Sequence, residues 1–271
     1  MLLKVESKKT KVLLTLLLIS VSTFAWNYES QEADTTHSLQ IRTGLDLTKK
    51  WNNGLKLGFH EDLRFDVYNS ETGAAFKTSF STLTLSYTPI EYVRFDVGYT
   101  LKISGPHAAW SEEKKADPNE WMRHRVYASV SGIYHTPYIK LHLRERVLME
   151  ARTDSVNLLE KNKYNWQLRS RLGIDFTIPG QPVKPYLWCE VINTLNAPEY
   201  QQKKGHQYIC TVRPQVGVKW RLSRLSSLDF YYRFTYSYDR DINITKSKGN
   251  IELEEETLFQ HAIGVTYSID W

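Results

Sequence analysis

The chain has 271 residues, a formal net charge of +5 and 24% charged side chains, with a mean hydropathy of −0.46. That polarity excludes a helical membrane protein, and the basic residues do not gather into the clustered face that nucleic-acid binders carry. Aromatic residues stand out at 13%, with 17 Tyr, 10 Phe and 8 Trp; Tyr and Trp favour boundaries that are apolar on one side and wet on the other.

In chain order, Lys4, Lys8, Lys9 and Lys11 come first, followed by the apolar run Val12–Ser22 and the small-residue exit Thr23-Phe24-Ala25. This is the pattern of a secretory signal, too short to cross a bilayer as an anchor helix. Cleavage after Ala25 is expected, and no cysteine follows the run to suggest a lipoprotein. Four lysines and Glu6 leave with the signal, so the mature chain carries about +2. The expected organisation is residues 1–25 as signal peptide and residues 26–271 as one domain.

From there a period of two dominates. Residues 39–48 set Leu39, Ile41, Leu45 and Leu47 against Arg42 and Asp46. Residues 55–67 set Leu55, Leu57, Phe59, Leu63, Phe65 and Val67 against His60, Asp62, Arg64 and Asp66. Strands are further predicted at 79–88, 93–103, 121–133, 138–152, 164–178, 183–194, 207–222, 226–240 and 257–271. Alternation over such lengths marks strands, not helices. Strands of 11–16 residues exceed the usual globular length and suit a bilayer. Connections alternate between tight turns ("TPIE", "YHTP", "PGQP", "LSRLSS") and long polar loops (residues 104–120, 153–163, 196–206 and 241–255). Short turns at one rim and long loops at the other is the outer-membrane pattern. The expected fold is all-β: a transmembrane antiparallel up-and-down β-barrel of about twelve strands, with ten as the alternative. Twelve requires residues 26–34 to supply an extra strand.

The chain ends on alternation: Val265, Tyr267, Ile269 and Trp271 share one face. A final aromatic after such a strand resembles the signal read by the bacterial barrel-insertion machinery, with Trp in place of the usual Phe. Outer-membrane lipid and that machinery are the expected partners, and nucleic acid is not.

The polar faces carry Arg64, Arg94, Arg123, Arg125, Arg144, Arg146, Arg169, Arg171, Arg213 and Arg233, with Asp62, Asp96, Glu150 and Glu190 among the acids. Side chains fill the interior of a narrow barrel, so opposite charges on adjacent strands are expected to pair across it. The first reading of function is therefore a structural or interaction barrel with an ion-paired, Arg-rich lumen. The alternative is a narrow anion-preferring channel for small acidic solutes, because Arg outnumbers acid along "MRHR", "LRER" and "LRSR". A lipid-modifying enzyme is the third and weakest reading: no strand pairs a Ser with a His on the lipid side, and no metal-ligand spacing occurs, so neither cofactor nor metal is expected.

Two placements break the alternation. Glu61 and Glu145 fall on lipid-facing positions near mid-strand, where charge is costly; local bulges that turn them inward are expected, with a protein contact or lateral opening as the alternative. Cys189 and Cys210 flank a loop such that a hairpin folded about Tyr200 would set them opposite each other. A disulfide and two free thiols both remain open.

The stretches "DLRF" (Asp62, Arg64), "LRER" (Arg144, Arg146), "LRSRLG" and "KPYLWCEV" (Glu190), in this order over residues 38–271, resemble the family called domain of unknown function 2490. The resemblance implies an outer-membrane β-barrel and supplies neither an activity nor catalytic residues. A looser likeness to small porins for acidic oligosaccharides rests on Arg-lined lumens alone.

Overall fold

A computed structural model describes residues 34–69, 75–104, 122–152, 164–197, 209–245 and 250–271. It contains eleven strands: β1 (Asp34–Lys50), β2 (Leu55–Asn69), β3 (Ala75–Ile90), β4 (Val93–Ser104), β5 (Met122–His135), β6 (Ile139–Arg152), β7 (Tyr164–Phe176), β8 (Val183–Thr194), β9 (Ile209–Arg221), β10 (Ser226–Thr245) and β11 (Asn250–Asp270). Each strand pairs with its sequence neighbours in antiparallel register, and β1 pairs with β11, so the wall is a closed barrel. Closure leaves no strand edge for lipid to meet, which is what a bilayer demands of a spanning sheet.

The strand count falls between the two anticipated values, and the reason lies at the seam. β1 and β11 run parallel, with Ile41 opposite Ile263 and Leu45 opposite Tyr267. An odd number of up-and-down strands closes only by one such pair. Residues 26–33 lie outside the described residues; β1 itself is paired on both sides, to β11 and to β2. The seam is stitched to the last residue: Trp271 N–H donates to Thr48 O at 2.9 Å, and Lys50 N–H donates to Trp271 O at 2.9 Å. Lys50 Nζ also meets Asp270 Oδ2 at 2.5 Å.

Short connections gather at one rim, at residues 51–54, 91–92, 136–138, 177–182 and 222–225. Gly54 takes φ +83° in the first of these, where a side chain would meet Thr88 O. Neighbouring turns are bonded together, as in Thr88 N–H to Gly54 O at 3.0 Å and Asp270 N–H to Leu225 O at 2.7 Å. The stretch 241–255, anticipated as a loop, is largely the end of the β10–β11 hairpin, which stays paired up to Thr245 and Asn250.

The burial pattern inverts that of a soluble protein. Ile41, Leu83, Leu85, Phe95, Val97, Leu172, Leu187, Val216, Phe230 and Ile263 are all exposed on the outer face, while Gln40, Arg42, Asp96, Glu150, Glu190, Gln215 and Thr235 are buried on the inner one. Trp51, Tyr87, Tyr134, Tyr138, Phe176, Trp220 and Trp271 are exposed along the short-turn rim. An apolar outer band edged by aromatics, around a polar interior, is the construction of a transmembrane β-barrel. No helix among the described residues is long and apolar enough to cross a membrane.

Candidate functional site: the arginine-lined lumen

The inner face collects the arginines that the sequence placed on polar faces, and groups seven of them around a few carboxylates. Glu190 on β8 is the largest centre. Arg144 Nη2 (β6) and Arg171 Nη2 (β7) each donate to Glu190 Oε1 at 2.9 Å, and Arg213 Nη1 (β9) lies 3.9 Å from Oε2. Glu150 on β6 accepts from Arg123 Nη1 at 2.9 Å and from Arg125 Nε, both on β5. Arg64 meets Asp62 within β2 at 2.7 Å, Arg94 lies 3.1 Å from Asp96 within β4, and Lys77 meets Asp66 at 2.7 Å. Apart from the Arg213–Glu190 and Arg94–Asp96 approaches, which are ion pairs without a hydrogen bond, these are charge-assisted hydrogen bonds, the stronger class.

Other arginines rest on rings. Phe80 on β3 lies between Arg64 and Arg125, with guanidinium carbons 4.0 and 4.9 Å from the ring centre. Trp188 lies between Arg171 at 3.9 Å and Arg233 at 5.0 Å, and Arg146 covers Tyr127 at 3.8 Å. Cation–π contact stabilises a guanidinium without neutralising it. Neutral amides hold the remainder: Arg233 Nε donates to Gln215 Oε1 at 2.7 Å, Arg169 Nη2 to Gln167 Oε1 at 2.8 Å, and the buried Arg42 to Gln40 and Gln260.

Several contacts skip a strand: Arg144 to Glu190 passes over β7, Arg125 to Phe80 over β4, and Arg233 to Trp188 over β9. Tyr186 Oη on β8 also reaches Asp229 Oδ2 on β10 at 3.0 Å. Such reach requires a narrow, strongly curved wall with side chains across its interior. Space for the rings comes partly from glycine: a Cβ at Gly98 would collide with the Tyr127 ring, and one at Gly173 with the His142 ring.

The carboxylates and the arginines differ in exposure. In the seven arginine–carboxylate pairs, the acid side chains keep 4–11% of their surface and the arginines 13–33%. Within these pairs the arginine is the more open partner, while the inner-face acids Asp46 and Asp175 keep 39% and 35% of their own surface.

The outward acids behave differently from expectation. Neither sits in a bulge; the ladders of β2 shift register at Leu39/Gln40 of β1, opposite Tyr68 and Asp66, and at Arg64/Phe65, and β6 runs without a register shift. Glu61 accepts from Ser79 Oγ and, at 2.5 Å, from Ser81 Oγ. Glu145 accepts from Ser170 Oγ at 2.6 Å. Serines on the adjacent strand bond these carboxylates on the outer face, both oxygens of Glu61 and Oε2 of Glu145, while Glu145 Oε1 is buried without a partner.

Cys189 and Cys210 are not brought together. Cys189 faces Pro214 across the β8–β9 ladder and is a free thiol. Cys210 lies four residues from Pro214, about 13 Å along the strand, beyond the Cα separation a disulfide allows. The β8–β9 register as a whole, with Cys189 opposite Pro214, centres the hairpin beyond Tyr200.

Val265, Tyr267, Ile269 and Trp271 fall on the β11 face that carries the exposed Ile263 and Tyr267, between inward Gln260, Thr266 and Ser268. Two outward histidines bond to tyrosines on the next strand: Tyr99 Oη to His124 Nδ1 at 2.6 Å and Tyr232 Oη to His261 Nδ1 at 2.7 Å. Among the described residues, no three His, Cys, Asp or Glu side chains are grouped to hold a metal ion.

The ring-stacked arginines and a cavity at the short-turn mouth were not anticipated from the sequence. The available signal was an apolar or aromatic residue on an otherwise polar parity: Phe80 among threonines, Trp188 between Tyr186 and Glu190, and Ile133 beyond Ser131.

Comparison with known proteins gives a family and a distant fold neighbour. No curated protein matches the chain. A solved structure titled "NanC porin structure in rhombohedral crystal form" is similar over 83% of this chain and 97% of its own, at 12% identity and a TM-score of 0.46. The model of the family described as "Protein of unknown function (DUF2490)" matches residues 39–245, most of the wall described above, and the chain belongs to that family.

Proposed function

We propose that this protein is an outer-membrane barrel whose lumen is a narrow passage preferring small acidic solutes. The observation that supports this is the exposure difference within the arginine–carboxylate pairs, where the acid is the covered partner and the arginine keeps more of its surface. A pore faced with fixed positive charge raises the local concentration of anions and excludes cations. The expected measurement is single-channel recording of the refolded mature chain in a planar bilayer under a salt gradient. Discrete steps should reverse on the anion side, and Arg146→Gln should reduce the selectivity, since Arg146 stacks on Tyr127 and its loss strands no carboxylate. A silent bilayer, with folding verified by heat-modifiable migration, overturns the passage.

The second reading is a closed structural or interaction barrel, and the strand-skipping contacts favour it. In that reading the ion pairs are packing and the long-loop rim is the working surface.

Either reading places the mature chain in the outer membrane of a Gram-negative cell, in contact with its lipid. The signal would be removed after Ala25, and the insertion machinery would read Val265, Tyr267, Ile269 and Trp271. Fractionation with intact-mass analysis should find a chain beginning at Trp26 in the outer membrane, and Trp271→Asp should lower its yield there. Recovery of a chain that retains residues 1–25, or recovery outside the outer membrane, overturns this placement.

A further inference from the structure

At the short-turn mouth of the lumen, β4, β5, β6 and β7 enclose a cavity of about 210 Å³ lined by Arg94, Ser131, Ile133, Lys140, His142, Arg144, Arg171 and Asp175. Cross-strand register assembles it, with Arg94 opposite Ser131, Ser131 opposite Arg144, and Arg144 opposite Arg171. His142 lies opposite Gly173, and the missing side chain at Gly173 leaves room for its ring.

Four of these residues hold a buried polar atom with no partner in the protein: Arg94 Nε, Ser131 Oγ, His142 Nδ1 and Arg144 Nε. Ser131 is 1% exposed. Arg94 Nε lies 3.1 Å from Asp96 Oδ1 without hydrogen-bond alignment, and Arg144 spends Nη2 on Glu190 and leaves Nε unused. Buried polar atoms are nearly always satisfied in folded proteins, so four unsatisfied ones around a single cavity point to a missing hydrogen-bonding group.

We propose that this cavity binds the carboxylate of a small acidic solute. The charge balance favours an anion. Arg94, Lys140, Arg144 and Arg171 face Asp175, with Asp96 and Glu190 behind them. Glu190 is shared with Arg213 as well, so positive charge is in excess, and the Lys140–Asp175 pair is long at 3.9 Å. Two guanidinium edges and a hydroxyl suit the planar acceptor geometry of a carboxylate. Ile133 supplies an apolar wall on an otherwise polar face, which suits a short carbon skeleton. The space equals that of about seven waters, which limits the ligand to a small molecule. For its physiological meaning this inference rests on the lumen being an anion path, since the site stands at the foot of that path; its test does not require conduction.

The test is calorimetric titration of the detergent-folded barrel with acetate, propionate and inorganic phosphate at low chloride. The expected result is saturable binding of both carboxylates, propionate the tighter. Lys140→Gln and Ser131→Ala should each weaken binding roughly tenfold, as removal of a hydrogen bond to a charged group does, and Lys140→Arg should retain it. Heat-modifiable migration of each variant shows that it is folded. No binding by the folded wild type overturns the site, binding unaffected by both weakening variants overturns its location, and phosphate binding tighter than propionate overturns the carboxylate assignment. Binding retained by a barrel that is silent in the bilayer leaves the site standing and removes only the passage.

Discussion

Val97→Arg should destabilise the barrel in lipid vesicles by roughly 2–4 kcal/mol, read from a reversible denaturant titration. Val97 lies on the outer face of β4 between Leu85 and Ala128, with 53% of its surface exposed. In water, a valine that exposed would accept arginine within about 0.5 kcal/mol, since surface substitutions away from special features are nearly neutral. In lipid the guanidinium must shed its hydration or drag water inward, and the cost grows with depth. Tyr138→Arg is the matched control: Tyr138 is still more exposed, but it sits in a turn at the short-turn rim, where the cost falls to about 0–1 kcal/mol. A near-zero effect at Val97 would overturn the assignment of the apolar face to lipid.

That assignment was already legible in the sequence because a strand's period of two is local. Phe95 and Val97 against Asp96, or Leu172 against Arg171, are assigned to opposite faces without knowledge of any partner strand. All eleven strands could be found in this way. Closure could not, because the parallel pairing of β1 with β11 depends on which strands meet after the chain has gone round. Register across long loops was equally hidden. Nothing local in Cys189 or Cys210 shows that the ladder sets Cys189 opposite Pro214, because register is fixed by the pairing of the two strands and not by either stretch alone.

The same limit explains what was missed at the site. Glu61 and Glu145 looked misplaced within their own strands because the serines that bond them, Ser79, Ser81 and Ser170, belong to the next strand over. The carboxylate centres were visible as residues but not as centres, since the three arginines around Glu190 come from β6, β7 and β9. The cavity at the short-turn mouth depends on four strands in register and on the absent side chain of Gly173, so no single stretch announces it.

Glu190→Leu should be among the most damaging single changes in the lumen, with an expected loss of about 3–5 kcal/mol, because removing one partner of a buried ion pair leaves the other charge uncompensated. Here one carboxylate serves Arg144, Arg171 and Arg213. Its loss removes the shared acceptor and leaves three guanidiniums repelling one another; at an effective dielectric near 20, two unit charges 4 Å apart interact by about 4 kcal/mol. Glu190→Gln should fall between, since it keeps an acceptor and loses the charge. Combining Glu190→Leu with Arg171→Leu should restore part of the stability, because the second change removes one of the stranded cations and leaves an apolar side chain beside Trp188. The denaturant titration that measures Val97→Arg measures these variants too. Its size also separates the two readings of the barrel. A loss of several kcal/mol means the guanidiniums are held in a packed interior with little water to take the place of Glu190. A loss below about 1 kcal/mol, within the range of an exposed ion pair, means water already reaches all three, and the centre of the lumen is then wet enough to carry an anion past them.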